Sequence, residues 1–277
     1  MKNKSITKLA AGLAGAVLVG GSAQAAAFAY NPTDLLLGFR NGGANDFVVD
    51  LGPISSWYVY SSLQPNTTYN ITAYNGSQLT SVFGSLNNIS FSAFADVRTT
   101  TNQSFPIQTL WTTAPRLDIN VQSDPLTRHS RFQQANTGAK IDGIANGAIN
   151  FSSLPDNDPA TNVTTLTAIE MPSIWNAGGG TSYTKGVGAA GNFSGTFPAN
   201  VENTTPGGFA SGGTPIVSDL YSLLPDSGGS QGDYLGSFIF SPDGSTSFHT
   251  VPEPGSMSLL GAGFALIGLA RYFRRQS

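Results

Sequence analysis

The chain has 277 residues, no cysteine and only 10% charged residues, so disulfide staples and thiolate metal sites are excluded and any core must hold without covalent help. Hydrophobic residues make up 40% of it, enough to bury a core, while abundant Gly, Ser, Thr and Asn point to a secreted β protein with long polar loops rather than a disordered chain. Between residues 26 and 250 seven basic residues stand against fifteen acidic ones, and this net charge of −8 argues against nucleic-acid binding.

Residues 1–25 have the three parts of a secretory signal peptide. Lys2, Lys4 and Lys8 form a basic start, Leu9 to Gly20 an apolar run, and Ala23-Gln24-Ala25 a small-residue end suited to signal peptidase. Export through the Sec machinery with cleavage after Ala25 is the expectation; an uncleaved anchor or a buried helix is the alternative.

The body, residues 26–250, opens with two apolar runs, Asp34 to Arg40 and Phe47 to Leu51, around the turn-forming stretch Asn41 to Asp46, which predicts a hairpin. Weaker strand candidates lie at 69–74 and 108–112, and Ser77 to Leu86 fits a short helix. From Ile89 to Val97 apolar residues fall at every second position, interrupted only by Phe94, as in a half-buried strand. Asp124-Pro125 offers a cap and first-turn proline, and apolar positions up to Ala148, broken at Gly138, predict two short helices covering a sheet edge. The stretch 176–213 is so rich in Gly, Thr and Asn that long surface loops around one or two short strands are expected. Tyr234 to Phe240 and Ser245 to Val251 flank Ser241-Pro-Asp-Gly244, the clearest hairpin of the chain. The predicted fold is mainly β: one antiparallel β-sandwich or jelly-roll-like domain with a few short helices, flanked by the signal peptide and a C-terminal hydrophobic helix.

At 251–277 Val251-Pro252-Glu253-Pro254-Gly255-Ser256 precedes an apolar stretch, Met257 to Ala270, and a basic tail with Arg271, Arg274 and Arg275. Sixteen residues from Gly255 to Ala270 rise about 24 Å as a helix, a marginal span of a hydrocarbon core about 30 Å thick. The arginines beyond it favour a cytoplasmic C-terminus, leaving the body outside the inner membrane, at least transiently. Pro252 and Pro254 keep the connection extended and present Glu253 between them. Motif, helix and basic tail in this order resemble the PEP-CTERM sorting signal of Gram-negative bacteria. That resemblance implies an exosortase as partner, with Pro252, Glu253 and Pro254 read as substrate, and delivery to the cell surface or extracellular matrix. A C-terminal anchor that is never cut is the alternative. The opening pair of strands also resembles that of many PEP-CTERM proteins, which lends no activity.

Signatures of catalysis are missing. There is no HExxH or P-loop, and His129 and His249 have no partner at motif spacing, so no catalytic, cofactor-binding or metal residue is assigned. Asp156-Asn157-Asp158, or Asp226, Asp233 and Asp243 brought together, would offer oxygens to Ca²⁺, but turn chemistry explains them more simply. Trp57, Trp111 and Trp175 read as core before they read as a sugar platform. Glu170, Glu202 and the aspartates leave an Asp-dependent glycan hydrolase as the least favoured reading, behind a non-catalytic protein in adhesion or exopolysaccharide association and a secreted carbohydrate-binding module.

Overall fold

The computed structural model describes residues 27–58, 63–98, 105–154, 164–226 and 228–251. The signal peptide expected over 1–25 with its Ala23 and Ala25, the Asp156 to Asp158 triplet, and everything from Pro252 onward lie outside those residues.

Ten strands form one antiparallel sheet. In chain order the strands are β1 (Asp34–Arg40), β2 (Asn45–Pro53), β3 (Thr68–Asn70), β4 (Ser90–Asp96), β5 (Leu110–Pro115), β6 (Ala168–Pro172), β7 (Asn176–Ala177), β8 (Gly180–Thr181), β9 (Asn203–Thr204), β10 (Ile216–Leu223), β11 (Asp233–Phe240) and β12 (Thr246–Thr250). Spatially they run β3-β12-β11-β10-β5-β4-β1-β2-β6, with β9 attached to β4 and β7-β8 forming a separate small ladder. The helices are α1 (Gly76–Phe83), α2 (Arg131–Ser152) and α3 (Tyr183–Val187).

Side-chain alternation gives the sheet two buried faces. Leu35, Leu37 and Phe39 of β1, Phe47 and Val49 of β2, and Phe91, Ala93 and Ala95 of β4 belong to one core, which also holds Trp111, Leu220, Phe238, Phe240 and Phe248. The rings of Phe39 and Phe240 lie 5.6 Å apart although β1 and β11 are four strand spacings, about 19 Å, from each other in the sheet. Only strong curling brings them together, so this face is the inside of a half-barrel. Its two edge strands, β3 and β6, flank the open side, which is bridged where Thr167 Oγ1 donates to the Ala73 carbonyl at 2.9 Å.

The convex face is covered too. Leu36, Val48, Phe94, Ile169, Met171 and Tyr221 pack there against Ile141, Ile144, Ala145 and Ala148 of α2 and against Tyr183, Phe193, Phe197 and Val201. Close approach sets two glycines: a Cβ on Gly38 would stand 2.5 Å from the Tyr183 ring, and one on Gly147 would stand 2.1 Å from the Thr181 carbonyl oxygen. Through Gly38 the Tyr183 ring reaches the sheet, stacks on Phe94 at 5.7 Å, and bonds Ser92 through its hydroxyl at 2.7 Å.

Several expectations hold. The 34–51 and 233–251 hairpins form, the latter closed by Gly244 at φ 82°, and α1 is capped by Asn75 with Gln78 bonding back. Others need correction. The strands make one curled sheet rather than the two packed sheets of a sandwich or jelly roll, because both faces of β1, β4 and β10 are covered by apolar groups. Phe94 does not interrupt a half-buried strand; it belongs to the second, convex core. One 22-residue helix, capped by Ser130, replaces the two short ones: it runs unbroken through Gly138, which faces Asp96, and its Gly143 and Gly147 admit β8. Residues 183–204 are not surface loops, since Tyr183, Phe193, Phe197 and Val201 are fully buried.

Candidate functional site

The end of β12 is where the fold meets the sorting motif. Thr250 is the strand's last residue, fully buried, and pairs with Gly236 of β11. Its hydroxyl donates to the Gln64 carbonyl at 2.7 Å and accepts from the Thr67 N–H at 2.9 Å, and its own N–H donates to the Thr67 carbonyl at 3.0 Å. One residue later the Val251 carbonyl accepts from the Asn66 N–H at 3.0 Å. The turn Pro65-Asn66-Thr67 thus clasps the chain up to Val251. Asn66 takes positive φ (51°), a conformation asparagine tolerates better than most residues. Nothing in the one-dimensional spacing pointed to this clasp, whose two halves are 183 residues apart.

The sorting residues Pro252, Glu253, Pro254, Arg271, Arg274 and Arg275 lie outside the described residues. Among the described residues no helix is long and apolar enough to cross a membrane.

Three buried acids, Asp34, Asp50 and Asp96, gather near the same end of the sheet, and a fourth, Asp46, lies at the opposite end beside Arg40. Asp34 accepts from the Asn31 backbone at 2.8 Å and its side chain at 3.2 Å, and Asp50 accepts from the Gly52 N–H at 2.7 Å. Burial, reinforced by the neighbouring Asp34 carboxyl, pushes Asp50 up to about 7. Asp96 is buried with neither oxygen hydrogen-bonded; burial, reinforced by Asp142, holds it well above the usual carboxylate range. Asp46 accepts from the Thr184 N–H and hydroxyl, both at 2.6 Å, yet burial still raises it to about 6. These folded carboxyls keep protons that the unfolded chain releases above pH about 4, so the folded state binds more protons from there to about pH 7. Stability is therefore expected to fall as pH rises from 5 to 8. In a thermal melting series Asp50→Asn, whose amide can donate to Asp34, should flatten that fall and melt above the wild type at pH 8; an unchanged profile would remove Asp50 from the account.

At the open side of the half-barrel a groove of about 530 Å³ is lined by Asp50, Trp57, Asn70, Thr72, Ala73 and Thr167. Trp57 is half-buried and packs edge-on against Phe248 at 5.2 Å. Trp111 is fully buried in the core, as expected, whereas Trp175 is half-buried and packs on Phe151 at 5.2 Å at the margin of the convex core.

The remaining candidates do not converge. His129 sits edge-on to Phe197 at 5.8 Å just ahead of α2, rather than on a helix, and His249 Nδ1 meets the Thr68 hydroxyl at 2.9 Å. Asp226 and Asp243 accept bonds within their own turns while Asp233 pairs with Arg128 at 2.8 Å. No group of three metal-ligating side chains occurs among the described residues. Glu202 is bound by Arg40, and Glu170 accepts from Asn45 at 2.6 Å.

Residues 250–275 match the family model described as the PEP-CTERM protein-sorting motif. No curated protein and no solved structure matches the chain. The chain thus carries a PEP-CTERM sorting motif, which implies an exosortase as processing partner and export to the cell surface. Thr250 is at once the first residue of that match and the last residue of β12.

A chain ended at Val251 is expected to melt where the full-length protein does, because every bond of the clasp survives. One ended at Gly244 loses β12 and with it Phe248, a buried aromatic whose truncation alone costs about 3–5 kcal/mol, and is expected not to fold. Circular dichroism melts of the two truncations check this pair.

Proposed function

We propose that the chain is a non-catalytic surface or matrix protein: delivered by Sec and signal peptidase, held briefly in the inner membrane by its C-terminal helix, cut by an exosortase, and left at the cell surface in adhesion or exopolysaccharide association. The observation that carries this reading is the sorting motif joined directly to the final strand of a β domain. Its buried carboxylates serve structure: Glu202 and Asp219 are locked by Arg40 and Arg116, and Asp34 and Asp50 accept from the Asn31 and Gly52 backbone N–H groups. Intact mass and terminal peptide mapping, with and without the host's exosortase, test the sorting half. Loss of the tail only when the enzyme is present supports it; a C-terminus at Ser277 in both strains would leave a simple anchored domain. Turnover of a glycan or peptide, abolished by changing one carboxyl, would sink the non-catalytic half.

A carbohydrate-binding reading is favoured by one feature, the groove in which an indole, a side-chain amide and threonine hydroxyls meet at Trp57, Asn70, Thr72 and Thr167. Glycans are recognised by such mixtures of ring face and hydrogen-bonding groups. Binding of the host's exopolysaccharide should weaken at least several-fold in Asn70→Ala, which lies on the exposed edge strand β3 and leaves the core alone. No binding by the wild type would rule the reading out.

A further inference from the structure

We infer that the rim of the half-barrel from which Thr250 emerges is the face held against the membrane while the sorting tail is still attached. This rests on the sorting reading and goes beyond it by giving the domain an orientation. Three observations carry it. First, β12 and the motif overlap at Thr250, and the clasp of Gln64, Asn66 and Thr67 extends to Val251, so no free spacer separates sheet from motif. Second, the seven residues from Val251 to Met257 span six steps and, fully extended, reach at most about 20 Å. A folded body of about 225 residues is about 40 Å across, so the opposite rim cannot come near the same bilayer. Third, the antiparallel order places the start of β1 at Asp34 beside the end of β4 and the end of β2, at this same rim, where Ala29 N–H bonds the Leu166 carbonyl at 3.0 Å. Both ends of the folded body therefore leave it on one side, and a chain tethered at either end presents the same face.

Proximity here comes from the tether, not from adhesion. A body with net charge −8 is repelled by anionic headgroups, so the rim separates from the membrane once the tail is cut.

The absence of native cysteine allows a direct test on the full-length chain in an exosortase-deficient host. Single-cysteine variants at exposed positions are compared: Gln64→Cys and Gln231→Cys on the tethered rim, Ala44→Cys and Ser211→Cys at the opposite end. A bulky membrane-impermeant maleimide is applied to spheroplasts, and the processed protein from an exosortase-containing host supplies the baseline. The expected result is labelling at Gln64→Cys and Gln231→Cys slowed fivefold or more in the membrane-held form and restored after processing, with Ala44→Cys and Ser211→Cys equally fast in both. Equal labelling at all four positions in the membrane-held form would overturn the orientation while leaving the sorting reading intact. Absence of any tail-bearing, membrane-held species in the deficient host would overturn the sorting reading, and the orientation with it. Two positions at each end keep the comparison valid if one variant fails to fold.

Discussion

Replacing Arg40 with alanine is expected to lower the unfolding free energy by about 3–5 kcal/mol, measured by urea titration at neutral pH. Arg40 ends β1 and reaches Glu202 with both arms of its guanidinium, Nε donating to Oε1 at 2.8 Å and Nη2 to Oε2. Glu202 is only 5% exposed, so the alanine variant strands a carboxylate that neither water nor another cation can reach. The pair also ties residues 183–204 to the sheet, next to the Tyr183 ring seated over Gly38. Adding Glu202→Gln to Arg40→Ala should recover a large part of the loss, since a neutral amide costs far less to bury than an unpaired charge. If the single change costs under about 1 kcal/mol, the pair is a surface bridge in effect and the anchoring role falls.

Trp111→Ala should be about as damaging, again about 3–5 kcal/mol. The indole is fully buried on the concave face of β5, its N–H donates to the Tyr58 hydroxyl at 2.7 Å, and Phe105 packs edge-on at 4.9 Å. Any loss of glycan binding in this variant would reflect unfolding. A thermal melt of Trp111→Phe, expected to lie between wild type and alanine, separates lost volume from the lost hydrogen bond.

What the sequence made legible was local. The first and last hairpins and α1 are written in turn glycines and an Asn-Gln capping box within a few residues, and the structure keeps them. The central strand β10 escaped reading because Ser218, Asp219 and Ser222 interrupt its apolar pattern. Asp219 is tolerated there only because Arg116, Ser237 and the Ser123 N–H, from elsewhere in the chain, satisfy it at 2.7–2.8 Å. Glycine misled for a similar reason. Gly138 looks like a helix breaker, yet α2 runs through it and the missing side chain there makes room for Asp96 and Arg98, while the bare Gly143 and Gly147 let the 180–181 strand touch the helix. The clasp around Thr250 was invisible because its partners lie at 64–67, and only the closed sheet brings them within reach.

The strand order carries a consequence for timing. β3 near the start of the body pairs only with β12 at its end, and β5 pairs with β10 about a hundred residues later, so β5-β4-β1-β2 can pair among the first 115 residues but the curled sheet is completed only by the last strands. Contacts of such long sequence separation form late and together. The half-barrel is therefore complete only once β12 is in place, and β12 is the strand that runs into the sorting motif. Closure of the sheet and the start of the motif thus fall on one strand, with Thr250 as the link between them.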